Sequence, residues 1–117
     1  MTIRECYEAM GSDFDGVLRR LGSEALISKY AVKFLNDPGF TELKSAMQDK
    51  RAEDAFRAAH TLMGVCLNLG FDRLHRASTE LTEQLRDRIS EGADELYKLV
   101  EEEYSKTISA LSEFSMG

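Results

Sequence analysis

A chain of 117 residues holds a single domain, 1–117, and its 43% hydrophobic content with one proline and no tryptophan disfavours disordered, collagen-like and many-stranded β classes. The formal charge of −6, from 15 Lys plus Arg against 21 Asp plus Glu, repels phosphate backbones and anionic membranes. No nucleic-acid or membrane partner is expected.

Apolar residues recur at helical spacing along the chain and nowhere sustain a period of two, so the expected class is all-α. Ile3, Cys6, Tyr7 and Met10 form a stripe ending at Gly11, and Phe14, Val17, Leu18 and Leu21 form a second before Gly22. Ser23 is placed to cap a third helix, which Leu26, Ile27, Tyr30, Phe34 and Leu35 carry to Asn36, where Asp37-Pro38-Gly39 stops it. A short helical piece follows with Phe40, Leu43 and Met47. From Ala52 to Leu69 the pattern is strongest, and Gly70 stands where a left-handed residue ends a helix. Asp72 is placed to cap the next helix, whose stripe is Leu74, Ala77, Leu81, Leu85 and Ile89, up to Gly92. The last helix carries Leu96, Leu99, Val100, Tyr104, Ile108, Leu111 and Phe114. Long helices with one stripe each and short links predict an antiparallel up-and-down four-helix bundle with short extra N-terminal helices.

On a wheel of about 100° per residue, Ala55, Ala58, Leu62, Val65, Cys66 and Leu69 share the core face, and His60 points the opposite way, to solvent. Beside His60 lie Glu53, Phe56, Arg57, Met63, Gly64 and Leu67, an apolar set where a solvated face is mostly charged. Gly64 costs roughly 1 kcal/mol relative to alanine in a helix interior and fills no core position. A side chain there would lean back over His60, so its absence uncovers the imidazole for a partner surface. An exposed imidazole is largely neutral near pH 7, where it can act as a nucleophile toward a phosphoryl group. On geometry alone, a lone surface histidine is more often only that. His75 reads as a surface or helix-end residue, with no i,i+4 partner for a metal. Cys6 and Cys66 form neither a CxxC pair nor a disulfide framework, which fits a reducing compartment, and Cys66 reads as an inert core thiol. No basic-then-apolar leader opens the chain, and no apolar run approaches the roughly 18 residues of a membrane span. A cytoplasmic location is expected.

The run Ala59-His60-Thr61-Leu62-Met63-Gly64, then Asn68-Leu69-Gly70-Phe71, then Leu74 and Leu81, resembles the histidine-containing phosphotransfer (HPt) domain of bacterial two-component phosphorelays. Its motif reads like A-H-x-L-K-G, with a helix-ending glycine six residues on. The resemblance implies a phosphocarrier, not an enzyme. His60 would take a phosphoryl group from the aspartyl phosphate of a receiver domain, in a response regulator or hybrid histidine kinase, and pass it to another receiver. Gly64 would give the receiver clearance, while Phe56, Arg57, Met63 and Leu67 would belong to its footprint. No cofactor is implied on this chain, since the magnesium belongs to the receiver, and a monomer is expected. Met63 departs from the family's usual lysine, which leans toward the histidine and helps hold the phosphoryl oxygens. Arg57 lies on the same face but should lean away toward the helix start, and in a hairpin turning near Gly70, Gln84 is the residue placed to donate a hydrogen bond to the phosphoryl group. The alternative is an HPt-shaped interaction module that binds a receiver or a helical partner through Phe56, Met63 and Leu67 without being phosphorylated.

Overall fold

The computed structural model of the chain describes residues 1–87 and 91–117. Helical stripes dictate its elements: α1 (Ile3–Ala9), α2 (Phe14–Leu21), α3 (Glu24–Lys33), α4 (Gly39–Gln48), α5 (Ala52–Leu69), α6 (Asp72–Leu85) and α7 (Ala93–Met116). No strand occurs among the described residues. Ile89, expected to continue the α6 stripe, lies outside them.

Local chemistry explains the boundaries. Thr2 and Glu5 form a reciprocal capping box at the start of α1, satisfying two backbone donors that the first turn leaves free. Asp13 and Ser23 cap α2 and α3 through their side-chain oxygens, and Gly22 ends α2 in the left-handed conformation that glycine adopts without steric cost. The third stripe does not stay α-helical to Asn36, because Phe34–Asn36 tightens into a 3-10 turn ahead of Pro38. Asp72 is not the cap of α6. Phe71 holds the cap position with its ring in the core, and the Asp72 carboxylate instead accepts from the Asp13 N–H at 3.2 Å.

The long helices α4, α5, α6 and α7 pack successively against one another as a helical bundle, with α1–α3 laid over one end. Each contributes a buried stripe: Leu43 and Ala46 from α4, Ala55 and Leu62 from α5, Leu74 and Leu81 from α6, Val100 and Leu111 from α7. Short side chains at Ala55, Ala58 and Ala59 let α5 approach its neighbours closely on its buried side. A chain of rings joins the added helices to the bundle. Tyr7 meets Phe14 and Phe71 at 5.4 and 5.8 Å, Phe71 meets Phe34 at 5.2 Å, and Phe34 meets Tyr104, which stacks on Phe40 at 4.0 Å. Leu26, Tyr30 and Leu99, read as core from their spacing, are exposed because their stripes are wider than the surfaces they pack against. No helix among the described residues is long and apolar enough to cross a membrane.

Candidate functional site

Glu53 and Asp54 occupy the first turn of α5, where negative charge complements the helix dipole, and Gly70 ends it at φ +73°. A Cβ at Gly70 would also collide with Val17. The last carbonyls of α5 are taken up by the N-terminal helices: the buried Tyr7 hydroxyl donates to the Leu69 carbonyl at 2.7 Å, and Arg20 Nη2 donates to that of Leu67 at 3.1 Å. These contacts satisfy acceptors that a helix end leaves open. They join residues far apart in sequence and have no local signal, so sequence reasoning missed them.

With Ala55, Ala58, Ala59, Leu62, Cys66 and Leu69 buried, the opposite face of α5 must face water. His60 stands exposed there. Its ring stacks on Phe56, with centroids 6.1 Å apart and planes 19° from parallel, and Phe56 is half-buried against the core. One turn on, Gly64 is surrounded by open space: a Cβ there would meet nothing within 4 Å. Leu67 continues the face and is 55% exposed. Met63 is half-buried on the α6 side, and Val65, placed on the core face by its spacing, is half-buried on the other flank. Arg57 turns away from His60 along its helix, its Nη2 lying 3.0 Å from Glu53 and 3.8 Å from Asp54.

Gln84 is not brought to His60. Its amide nitrogen donates to the Glu91 carbonyl at 2.8 Å, tying the end of α6 to the connection before α7. The pairing of the two helices explains the error. His75 Nδ1 lies 3.0 Å from the Met63 carbonyl, which sets their register and puts the neighbours of His60 near Ser78 and Thr79. Gln84 is five to six residues further along α6, or roughly 8–9 Å at 1.5 Å per residue. His75 is thereby assigned a structural task. A carbonyl only accepts, so Nδ1–H donates and braces α6 against α5.

The remaining reactive groups are inert. Burial, with a smaller push from Glu113, raises the Cys6 thiol to about 11, and burial raises Cys66 further, so neither is a thiolate near neutral pH. Among the described residues no group of three or more His, Cys, Asp or Glu side chains is placed to hold a metal ion. On the flank of α5, Arg20, Leu21, Tyr30, Lys33 and Phe34 line an open cleft of about 610 Å³ with Val65 and Asn68. What α5 presents is thus one exposed imidazole, a nucleophile when neutral, set among apolar groups beside open space.

A model of the Hpt domain family matches residues 38–112, which run from the start of α4 to near the end of α7. The chain matches no curated protein and no solved structure.

Proposed function

The chain belongs to the Hpt domain family, and on that footing we propose that it is a phosphocarrier of two-component signalling whose phosphorylated residue is His60. The observation that carries the reading is the exposed His60 ring beside the open space at Gly64. A receiver's aspartyl phosphate is buried in its own active site, so a histidine that is to reach it must stand clear of its neighbours. A neutral ring nitrogen attacks phosphorus, the P–N bond forms as the bond to the aspartyl oxygen breaks, and the carboxylate leaves. The ring then loses its extra proton to water. Reversal onto a second receiver completes the relay. Magnesium and most of the catalytic groups belong to the receiver, so the chain is a carrier and not a catalyst with turnover of its own. Phe56, Met63, Gly64 and Leu67 form the docking face, and the partners are cytoplasmic receiver domains.

The test mixes the protein with magnesium and a phosphorylated receiver and maps acid-labile phosphate by mass spectrometry. Label on His60, lost in His60→Gln with helicity intact, is the expected result. Label that persists in His60→Gln refutes the assignment.

Met63 favours a second reading, in which the domain docks a receiver without accepting phosphate. A Met63→Lys variant separates the two. In a carrier the new cation adds an exposed charge interaction of about 1 kcal/mol, hence a phosphohistidine about fivefold longer-lived or more quickly formed. In a pure binder only affinity moves. If neither quantity changes, Met63 is not the weak point of the site.

A further inference from the structure

We propose that Arg57 is the phosphoryl-positioning residue of this chain: when His60 carries phosphate, the guanidinium leaves Glu53 and closes on the phosphoryl oxygens. The proposal rests on His60 being the phosphorylated residue. Its stacking on Phe56 shows that the imidazole leans back over the preceding turn, as helical side chains do. A phosphoryl group on that ring stands over the turn that also holds Arg57, while a long side chain at position 63 reaches it from the following turn. Arg57 and His60 are three apart, a spacing at which helix neighbours have Cβ atoms about 5–6 Å from each other.

The guanidinium is available for this. Its side chain is 65% exposed, and its ion pairs among the described residues, with Glu53 at 3.0 Å and Asp54 at 3.8 Å, are made by Nη2. Exposed pairs of this kind hold weakly and exchange readily. A phosphoryl dianion offers three acceptor oxygens and binds a guanidinium fork in bidentate fashion, so it competes with the Glu53 carboxylate for Arg57. Arg57 stands three residues before His60 on the same helix, whereas the other arginines of this region have different surroundings. Arg51 is bound to Asp54 and Ser45, Arg86 is paired with Glu83, and Arg73 and Arg76 line a hollow with Glu103 of α7.

The consequence is a longer-lived phosphohistidine. In hydrolysis water adds to phosphorus, the P–N bond breaks, the ring nitrogen keeps the electron pair and takes a proton, and inorganic phosphate departs. The transition state is loose and metaphosphate-like, with weaker charge on the outer oxygens than in the starting dianion. A guanidinium held on those oxygens therefore stabilises the starting state more and slows the loss.

Phosphoramidate provides the test, because this small donor needs no receiver: its bond to ammonia breaks as the bond from phosphorus to the ring nitrogen forms. After removal of the donor, decay of the label is followed by phosphorus NMR in the full chain with a chelator present. Arg57→Gln should lose phosphate several-fold faster than the parent, and Arg57→Lys should fall between. Glu53→Gln, which frees Arg57, should lose it several-fold more slowly, and added salt should shorten the lifetime of the parent but not of Arg57→Gln. Equal lifetimes in the parent and Arg57→Gln, or a Glu53→Gln variant that decays like the parent, overturn the role of Arg57. A parent that takes no label on His60 overturns the phosphocarrier reading and this proposal with it. The first failure appears in decay rates and the second in labelling itself.

Discussion

Position 64 isolates what the site asks of a single residue. Gly64 lies in the middle of α5, and a Cβ there meets nothing within 4 Å, so neither packing nor backbone conformation in the free chain calls for glycine. Gly64→Ala should therefore raise stability by about 0.5–1 kcal/mol, the ordinary difference between the two residues in a helix interior. Gly64→Gln should fold as well, but its side chain would lean over His60 and hold a receiver away. Misplacement by about 1 Å can cost a phosphotransfer step up to about 100-fold. Labelling by phosphoramidate, which is small enough to pass, should survive. Urea titration checks the first expectation and the pair of donors checks the second. Equal loss with both donors in Gly64→Gln would mean that the side chain damages the site itself and that the glycine is not there for partner clearance.

At the scale of elements, the capped end of α5 fixes how that helix is held. Tyr7→Phe removes the hydroxyl that donates to the Leu69 carbonyl and leaves a buried acceptor unpaired, at a cost of about 1–3 kcal/mol. Arg20→Ala removes a partner that works at the exposed surface, and the carbonyl of Leu67 can turn to water, so its cost should stay below about 1 kcal/mol. A urea midpoint that moves no further in Tyr7→Phe than in Arg20→Ala would contradict this ranking. The same helix shows what a sequence makes legible. Its span, Ala52–Leu69, follows from apolar periodicity and a terminal glycine, and the exposure of His60 follows from a wheel. Its supports do not. Tyr7 and Arg20 reach α5 from helices whose placement depends on the whole core, and Tyr7 reads locally as one more apolar stripe residue. Register between helices is equally hidden: the placement of Gln84 near His60 failed because a wheel gives direction around one axis and no height along its neighbour. The bond between His75 and the Met63 carbonyl supplies that height. Asp72 carries a capping side chain, yet the cap position fell to Phe71, since burying a ring in the core outweighs the roughly 1 kcal/mol a polar cap offers.

For the molecule as a whole, one core shared by α1 to α7 of the described residues means that groups far from the site titrate with global unfolding. Cys6 and Cys66 come from opposite parts of the chain and are fully buried in that core. Burial holds the Cys6 thiol at about 11 against an ordinary 9.0, raises Cys66 more strongly, and pushes the half-buried Tyr97 phenol to about 12 from 10.0. In each case folding favours the protonated, neutral form. Well below pH 9 folded and unfolded chains hold these protons alike, and the groups give stability almost no pH dependence. Above pH 9 the unfolded chain releases thiol protons that the folded chain keeps, so unfolding becomes easier as pH rises. Each thiol contributes a slope that approaches about 1.4 kcal/mol per pH unit until its folded value is reached, near pH 11 for Cys6. Stability measured in urea at fixed ionic strength should thus be flat from pH 7 to about 8.5 with respect to these groups and fall steeply from pH 9 to 11. In the double variant Cys6→Ala, Cys66→Ala the chain should be less stable at pH 7, because small cavities replace the sulfurs, yet its alkaline decline should be distinctly shallower. Lysines and tyrosines titrate in both proteins and cancel in the comparison. Parallel curves would show that the thiols are not held protonated by the core, and the alkaline decline would then lie with the phenols that burial also raises, Tyr7, Tyr97 and Tyr104.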